Sequence, residues 1–215
     1  MKEKIISLIH ATTKKTKLPL RIFLSALGVF IMGFGMSVLE KLNFGTDPYT
    51  CMNIGLSSIF DISLGTAALL VSAVMLVFVV IFNISKLGLG TLFNMVGFGY
   101  SIDLFRIIWK SVGFEGMSDG VVRYLLLALM LTIFIFAVSL YLAADLGSAP
   151  YDAIPEMISS WTKIPFVAVR MCWDISAVAV GFVLGSTVGI TTLVCAFFVG
   201  PAATIVRRTV DKILG

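Results

Sequence analysis

Charge is scarce in this chain. Of its 215 residues 13% are charged and 59% hydrophobic, and the mean hydropathy is +1.04. Soluble domains carry about 25% charged and about 45–50% apolar residues, so the composition excludes a water-soluble fold. Histidine occurs once, as His10, and cysteine three times, at Cys51, Cys172 and Cys195. The lone histidine reads as a solvated surface group and offers no basis for histidine-built metal or acid–base chemistry. The cysteines are odd in number, widely spaced and set in apolar surroundings, so they read as buried thiols, with no disulfide or metal site expected. The sequence has no Gly-x-Ser-x-Gly, no His-Glu-x-x-His, no Walker loop and no polar domain in which water-dependent chemistry could be staged. A protein that is not an enzyme and takes no cofactor is the expectation.

Long apolar sequence is what the chain has in abundance. A helix needs about 20 residues to cross about 30 Å of hydrocarbon, and six stretches approach that length: 20–39, 65–84, 88–108, 121–143, 166–184 and 188–206. A transmembrane β-barrel would alternate apolar and polar residues over about ten positions, whereas Leu125 to Leu131 and Ala73 to Val80 are apolar on every side. The first stretch follows a basic segment, as a signal peptide's core would. It ends in Val38, Leu39, Glu40 and Lys41 with no small-x-small cleavage pattern, so it reads as a retained span. The expected fold class is an all-α polytopic membrane protein with about six transmembrane helices.

The net charge of +4 is informative through its placement. Lys2, Lys4, Lys14, Lys15, Lys17 and Arg21 precede or open the first span, and Arg207, Arg208 and Lys212 follow the last. Basic flanks mark the cytoplasmic side, and an even number of spans puts both termini there. Arg106, Lys110 and Arg123 would then flank an external loop, which leaves a five-span or re-entrant variant open. The expected partners are the lipid bilayer and anionic head groups at the basic termini, with a homodimer as a further association and no nucleic acid. In the arm, Ile5, Ile6, Leu8 and Ile9 lie among lysines, a pattern that suits an amphipathic helix on anionic lipid or a disordered basic tail.

The two halves of the chain resemble each other. At an offset of 102, Phe44 to Tyr49 (Phe-Gly-Thr-Asp-Pro-Tyr) falls on Leu146 to Tyr151 (Leu-Gly-Ser-Ala-Pro-Tyr), and Ser57 and Ser58 fall on Ser159 and Ser160. After a one-residue slip, Gly88 to Leu92 meets Gly189 to Leu193, and Gly99 meets Gly200. The implied organisation is a basic arm (1–18), a first transmembrane repeat (19–112), a polar linker (113–120), a second repeat (121–208) and a tail (209–215). Three spans per repeat is an odd number, so the second copy must enter the membrane upside down, giving an inverted repeat.

Each repeat contains a Gly-x-x-Pro-Tyr break followed by about a dozen residues, too few to cross: Gly45 to Phe60 and Gly147 to Trp161. Non-helical backbone at membrane depth survives only where protein or a water-filled cavity satisfies it, and paired broken segments mark transporter sites. On that reading Thr46, Asp47, Tyr49 and Asn53 face Ser148, Tyr151 and Asp152 as a substrate site. The alternative is a surface loop leading into an interfacial helix, with Pro48 and Pro150 in the tolerated first turn. Arg170 and Asp174 lie four apart on one helix face and form an intramembrane charge pair, either lining a polar path or serving structure alone. Asp103 and Arg106, three apart, carry the same two readings, with snorkelling to the interface as a third option for the arginine. Asn94 reads as an inter-helix hydrogen-bonder. Gly28, Gly33, Gly35, Gly97, Gly99, Gly181 and Gly185 read as helix-packing positions, with hinges as the alternative.

At Gly45 to Pro48, Gly147 to Asp152 and the Leu-Gly-Leu-Gly-Thr-Leu stretch from 87 to 92, the chain resembles the YczE/YyaS group of bacterial membrane proteins, related to the YitT type. The resemblance spans nearly the whole length. It departs at Thr191, where the second copy should carry glycine as at Gly90, and at Ala149 against Asp47. The resemblance implies a bacterial inner-membrane protein of unsettled role and supplies no substrate or catalytic residues. The functional expectation is a small secondary transporter or exporter of a small molecule; the alternatives are a non-transporting membrane scaffold and a substrate-capture subunit of an ATP-driven importer.

Overall fold

The computed structural model describes residues 17–115 and 120–198. The expectations for the basic arm with His10, for linker positions 116–119, for Gly200 and for the end of the last stretch with Arg207, Arg208 and Lys212 lie outside the described residues. Within them, the regular structure is entirely helical, as the satisfaction of backbone groups without water requires. The elements are α1 (Leu18–Lys41), α2 (Pro48–Phe60), α3 (Leu64–Asn83), a 3-10 turn (Ile84–Lys86), α4 (Leu89–Ser111), α5 (Val121–Ala143), α6 (Pro150–Thr162) and α7 (Phe166–Val183). A last helical segment is described over residues 190–198.

Among the described residues, four helices are long and apolar enough to cross a membrane: α1, α3 with its 3-10 turn, α5 and α7. This is fewer than the six expected. Helix α4 has the length, 23 residues, but Asn94, Asp103, Arg106 and Lys110 dilute its apolar character. The stretch expected over 188–206 is described only over its first part.

Helix α1 is the central one. Over half of its most apolar window (56%) is buried inside the protein, against 22% for α3 and for α7. Its buried positions include the small residues Ser25, Gly28, Gly33, Gly35 and Ser37, a type that admits neighbouring backbones closely. A Cβ on Gly28 would lie 2.9 Å from the Tyr141 backbone nitrogen, and one on Gly33 2.4 Å from the Ser101 Cβ. Gly35 meets Met130 and Phe134 at ordinary contact distance, and Gly97 meets Val29. Residues 28 and 35 of α1 thus face 141 and 130–134 of α5, so the two helices run antiparallel. Residues 29 and 33 face 97 and 101 of α4, so that pair runs parallel. Gly99 on α4 and Gly65 on α3 form another backbone-to-backbone crossing, in which an added Cβ would lie 2.8 Å from the Gly65 Cα.

Two expectations need correction. Gly185 does not pack helices: it ends α7 at φ +86° with nothing within 4 Å of an added Cβ, while Gly181 alone sits in a contact, against Cys51. The Gly-x-x-x-Gly spacing straddles a helix end, so only one of its glycines faces a neighbour. Cys172 is exposed, whereas Cys51 and Cys195 are buried. Cys172 lies on α7, whose largely unburied surface is apolar, and an apolar setting in sequence does not distinguish a lipid-facing side chain from an interior one.

The Asp103–Arg106 pair is part of a larger polar cluster than the sequence indicated. Arg106 donates from Nε to Glu40 (2.9 Å) and from Nη1 to Asp103 (3.2 Å), tying α4 to the end of α1. The second Asp103 oxygen accepts the free Gly65 N–H at the start of α3 (2.7 Å).

Candidate functional site

The two Gly-x-x-Pro-Tyr breaks form matching turns. Asn43 and Asp145 take positive φ (57° and 52°), as do Gly45 and Gly147 (86° and 97°), and each turn delivers a proline to the first turn of a 13-residue helix. Both helices end at a left-handed residue, Asp61 or Lys163. Each turn is gripped by the other half of the chain. Gly90 N–H donates to Leu146 O (2.7 Å), and Thr191 N–H donates to Phe44 O (3.0 Å). The contacting glycines have no room for a side chain: a Cβ on Gly88 or Gly189 would lie 2.2 Å from Leu146 O or Phe44 O. Thr191 in place of the expected glycine keeps the same backbone bond, so the departure leaves this contact intact. The arginines obey the same exchange. Arg21 Nη1 donates to Ala144 O (3.2 Å), and Arg123 Nη2 to Leu42 O (2.6 Å), which places one at each end of the antiparallel α1–α5 pair.

The short helices begin inside the protein. Pro48 to Cys51 and Pro150 to Tyr151 are buried, and exposure begins only at residues 58 and 160. This contradicts the reading of a surface loop leading into an interfacial helix. Helix α2 packs on α7 of the opposite half, and α6 packs on α3. Their starts meet at Tyr49 and Tyr151, whose ring centroids are 5.0 Å apart.

Around this meeting point lies a cavity of about 270 Å³. Its polar lining is Asp47, Tyr49, Asn94, Tyr151, Asp152, Arg170 and Asp174, and its apolar lining includes Met32, Phe98, Phe134 and Phe166. Several of these come in pairs at the repeat offset: Met32 with Phe134, Asp47 with Ala149, Tyr49 with Tyr151, and, after the slip, Asn94 with Cys195. The cavity therefore sits where the two halves meet.

Arg170 is the hub of a partly buried ion cluster. Its Nε donates to Asp174 Oδ2 (2.9 Å) and its Nη1 to Asp152 Oδ1 (2.6 Å), with the guanidinium 5.2 Å from the Tyr151 ring centroid. Tyr151 Oη–H donates to the other Asp174 oxygen (2.6 Å). The corresponding place in the first half is neutral: Thr50, Ala68 and Ser72 stand where the second half has Asp152, Arg170 and Asp174. There Tyr49 Oη–H donates to Ala68 O (2.8 Å) and contacts Ser72 Oγ (2.7 Å). Asp47 caps α2, its Oδ1 accepting from Tyr49 N–H (3.1 Å) and Thr50 N–H (3.2 Å). Its Oδ2 is buried with no hydrogen-bond partner.

Of the residues singled out from sequence, Asp47, Tyr49, Tyr151, Asp152, Arg170 and Asp174 converge on the cavity. Thr46, Asn53 and Ser148 do not line it. Asn53 is fully buried and donates to Tyr49 O (2.8 Å), while Ser148 ties the turn to the other half through its N–H to Lys86 O and its C=O to Thr91 Oγ1. Asn94, read as an inter-helix bonder, is buried and lines the cavity instead. The apolar wall of Met32, Phe98, Phe134 and Phe166 escaped notice because such residues are common in every span. The signal that could have found two of them is the repeat itself, since Met32 and Phe134 share the offset of 102.

A family model described as a family of unknown function (DUF6198) matches residues 19–208. The chain belongs to the DUF6198 family. Among its relatives, an uncharacterized protein of Haemophilus influenzae is 31% identical over 180 residues, covering 83% of this chain and 78% of that protein. The uncharacterized membrane protein YczE of Bacillus subtilis is 25% identical over 187 residues, covering 86% and 85%. The uncharacterized protein YyaS of the same organism is 23% identical over 170 residues, covering 78% and 82%. No solved structure matches. The likeness to the YczE/YyaS group read from the motifs is thus borne out, and this DUF6198 member is an integral membrane protein.

Proposed function

We propose that this protein is a secondary transporter of a small molecule in the bacterial cytoplasmic membrane, built from six spans as an inverted repeat with both termini in the cytoplasm. The observation that carries the reading is the cavity itself. Two helices that start inside the protein, one from each half, present their first turns to a cavity lined by three carboxylates, a guanidinium and two tyrosines. Ionisable groups within spans are costly, and helix starts at membrane depth need a polar or protein-lined setting. Paired discontinuous helices at a repeat interface are the usual construction of a transport site. The antiparallel α1–α5 pair, related by the repeat offset, supports the inverted arrangement, and the matched Arg21 and Arg123 contacts support it independently.

Alternating access makes the test direct. Ala149 lines the cavity, is 5% exposed and lacks a functional side chain, so Ala149→Cys is a quiet probe. It is placed on a background with Cys51, Cys172 and Cys195 replaced, and a membrane-impermeant thiol reagent is applied to intact cells and to inverted vesicles. Labelling from both sides is expected of a transporter. Labelling from one side alone supports a capture subunit, and labelling from neither supports a scaffold; both overturn the proposal.

A further inference from the structure

We infer that the cavity selects a small organic cation with an apolar or aromatic body, and that Asp47 is the group that recognises its charge, in competition with a proton. The inference rests on the transport reading and names its substrate class. The cavity lining carries three carboxylates against one guanidinium. Arg170 is paired through Nη1 with Asp152 and through Nε with Asp174, and Asp174 also accepts from Tyr151. Asp47 stands apart from that cluster. One of its oxygens caps α2, the other is buried and unpartnered, and the residue itself is among those that line the cavity. A buried carboxylate without a counter-charge is costly, so the site is completed by either a cation or a proton.

The second half of the chain argues that Asp47 is not there to build its helix. At the equivalent position Ala149 makes no side-chain cap, and α6 forms over the same 13 residues. The Arg170 cluster is likewise replaced by Thr50, Ala68 and Ser72 in the first half. The fold accepts neutral residues at each of these places, and the charge asymmetry belongs to the cavity's task. Helix starts favour anions, but here Asp47 answers the start of α2, and Asp152, in its first turn, answers that of α6. The space between them is bounded by the rings of Tyr49, Tyr151, Phe98 and Phe134, which suit the face of a cation and cover an apolar body.

The test measures equilibrium binding of radiolabelled benzyltrimethylammonium to the purified full chain, with benzoate as the anionic probe of similar bulk. Wild type is expected to bind the cation saturably, more weakly as pH falls, and to ignore benzoate. Asp47→Asn keeps an acceptor for the helix cap and is expected to weaken cation binding by about tenfold or more, with the pH dependence flattened. Asp47→Ser, another good cap, serves as the second neutral variant. No saturable cation binding by wild type, preference for benzoate, or unchanged affinity in a folded neutral variant each overturns the inference. Failure here with Ala149→Cys still labelled from both sides removes the substrate class and leaves the transport reading standing. Failure of that labelling removes the transport reading beneath it.

Discussion

Replacing Arg170 by methionine keeps the length and apolar stem of the side chain and removes its charge. Asp152 then loses its 2.6 Å partner, and Asp174 loses the Nε contact at 2.9 Å while keeping the Tyr151 hydroxyl. The arginine is 21% exposed, Asp152 25% and Asp174 3%, so solvent screening is weak. Removing one member of a buried ion cluster costs about 3–5 kcal/mol, mostly because the remaining charge is left uncompensated. The compensating variant is written in the chain itself: Asp152→Thr, Arg170→Ala and Asp174→Ser together install the residues of Thr50, Ala68 and Ser72. Tyr151 then keeps a hydroxyl partner, as Tyr49 does with Ser72. Replacing a whole buried ion pair is often close to neutral, so the triple variant is expected to unfold within about 1–2 kcal/mol of wild type. Equilibrium unfolding in mixed detergent and SDS micelles measures both. Trp173, whose ring lies 5.7 Å from Tyr151, supplies a local fluorescence signal. An Arg170→Met protein as stable as wild type, or a triple variant no more stable than the single, would refute the account of the cluster.

Gly88→Ala and Gly189→Ala are expected to destabilise by at least about 1–3 kcal/mol, because each places a Cβ against a backbone carbonyl of the opposite half. Gly185→Ala, in open space, is expected to cost only the left-handed backbone penalty of about 1–2 kcal/mol, and the same unfolding assay ranks the three. Asp61→Cys and Lys163→Cys place probes at the exposed ends of α2 and α6. Impermeant labelling in intact cells is expected at one and not the other, and labelling of both from the same side contradicts the inverted repeat.

The sequence by itself determined that the chain is helical and lives in a membrane, because apolar length and scarce charge leave the backbone no other way to satisfy its polar groups. It also determined that Arg170 and Asp174 share a helix face, since that follows from helical periodicity alone, and that two turns recur at an offset of 102, since repeats preserve their local backbone rules. Four of its six stretches are matched by apolar spans among the described residues, while α4 is long but made less apolar than its neighbours by Asn94, Asp103, Arg106 and Lys110. Only the tertiary structure decided that Asp152 joins Arg170 across 18 residues of chain, that Tyr49 meets Tyr151, and that each turn is clasped by the other half. These are long-range contacts between helices whose surfaces are apolar on several sides, so no local pattern says which face turns inward. Asp47 shows the difference most clearly: its type and its proline neighbour mark a helix start in the sequence, whereas its unpartnered oxygen exists only because two halves of the chain close around it.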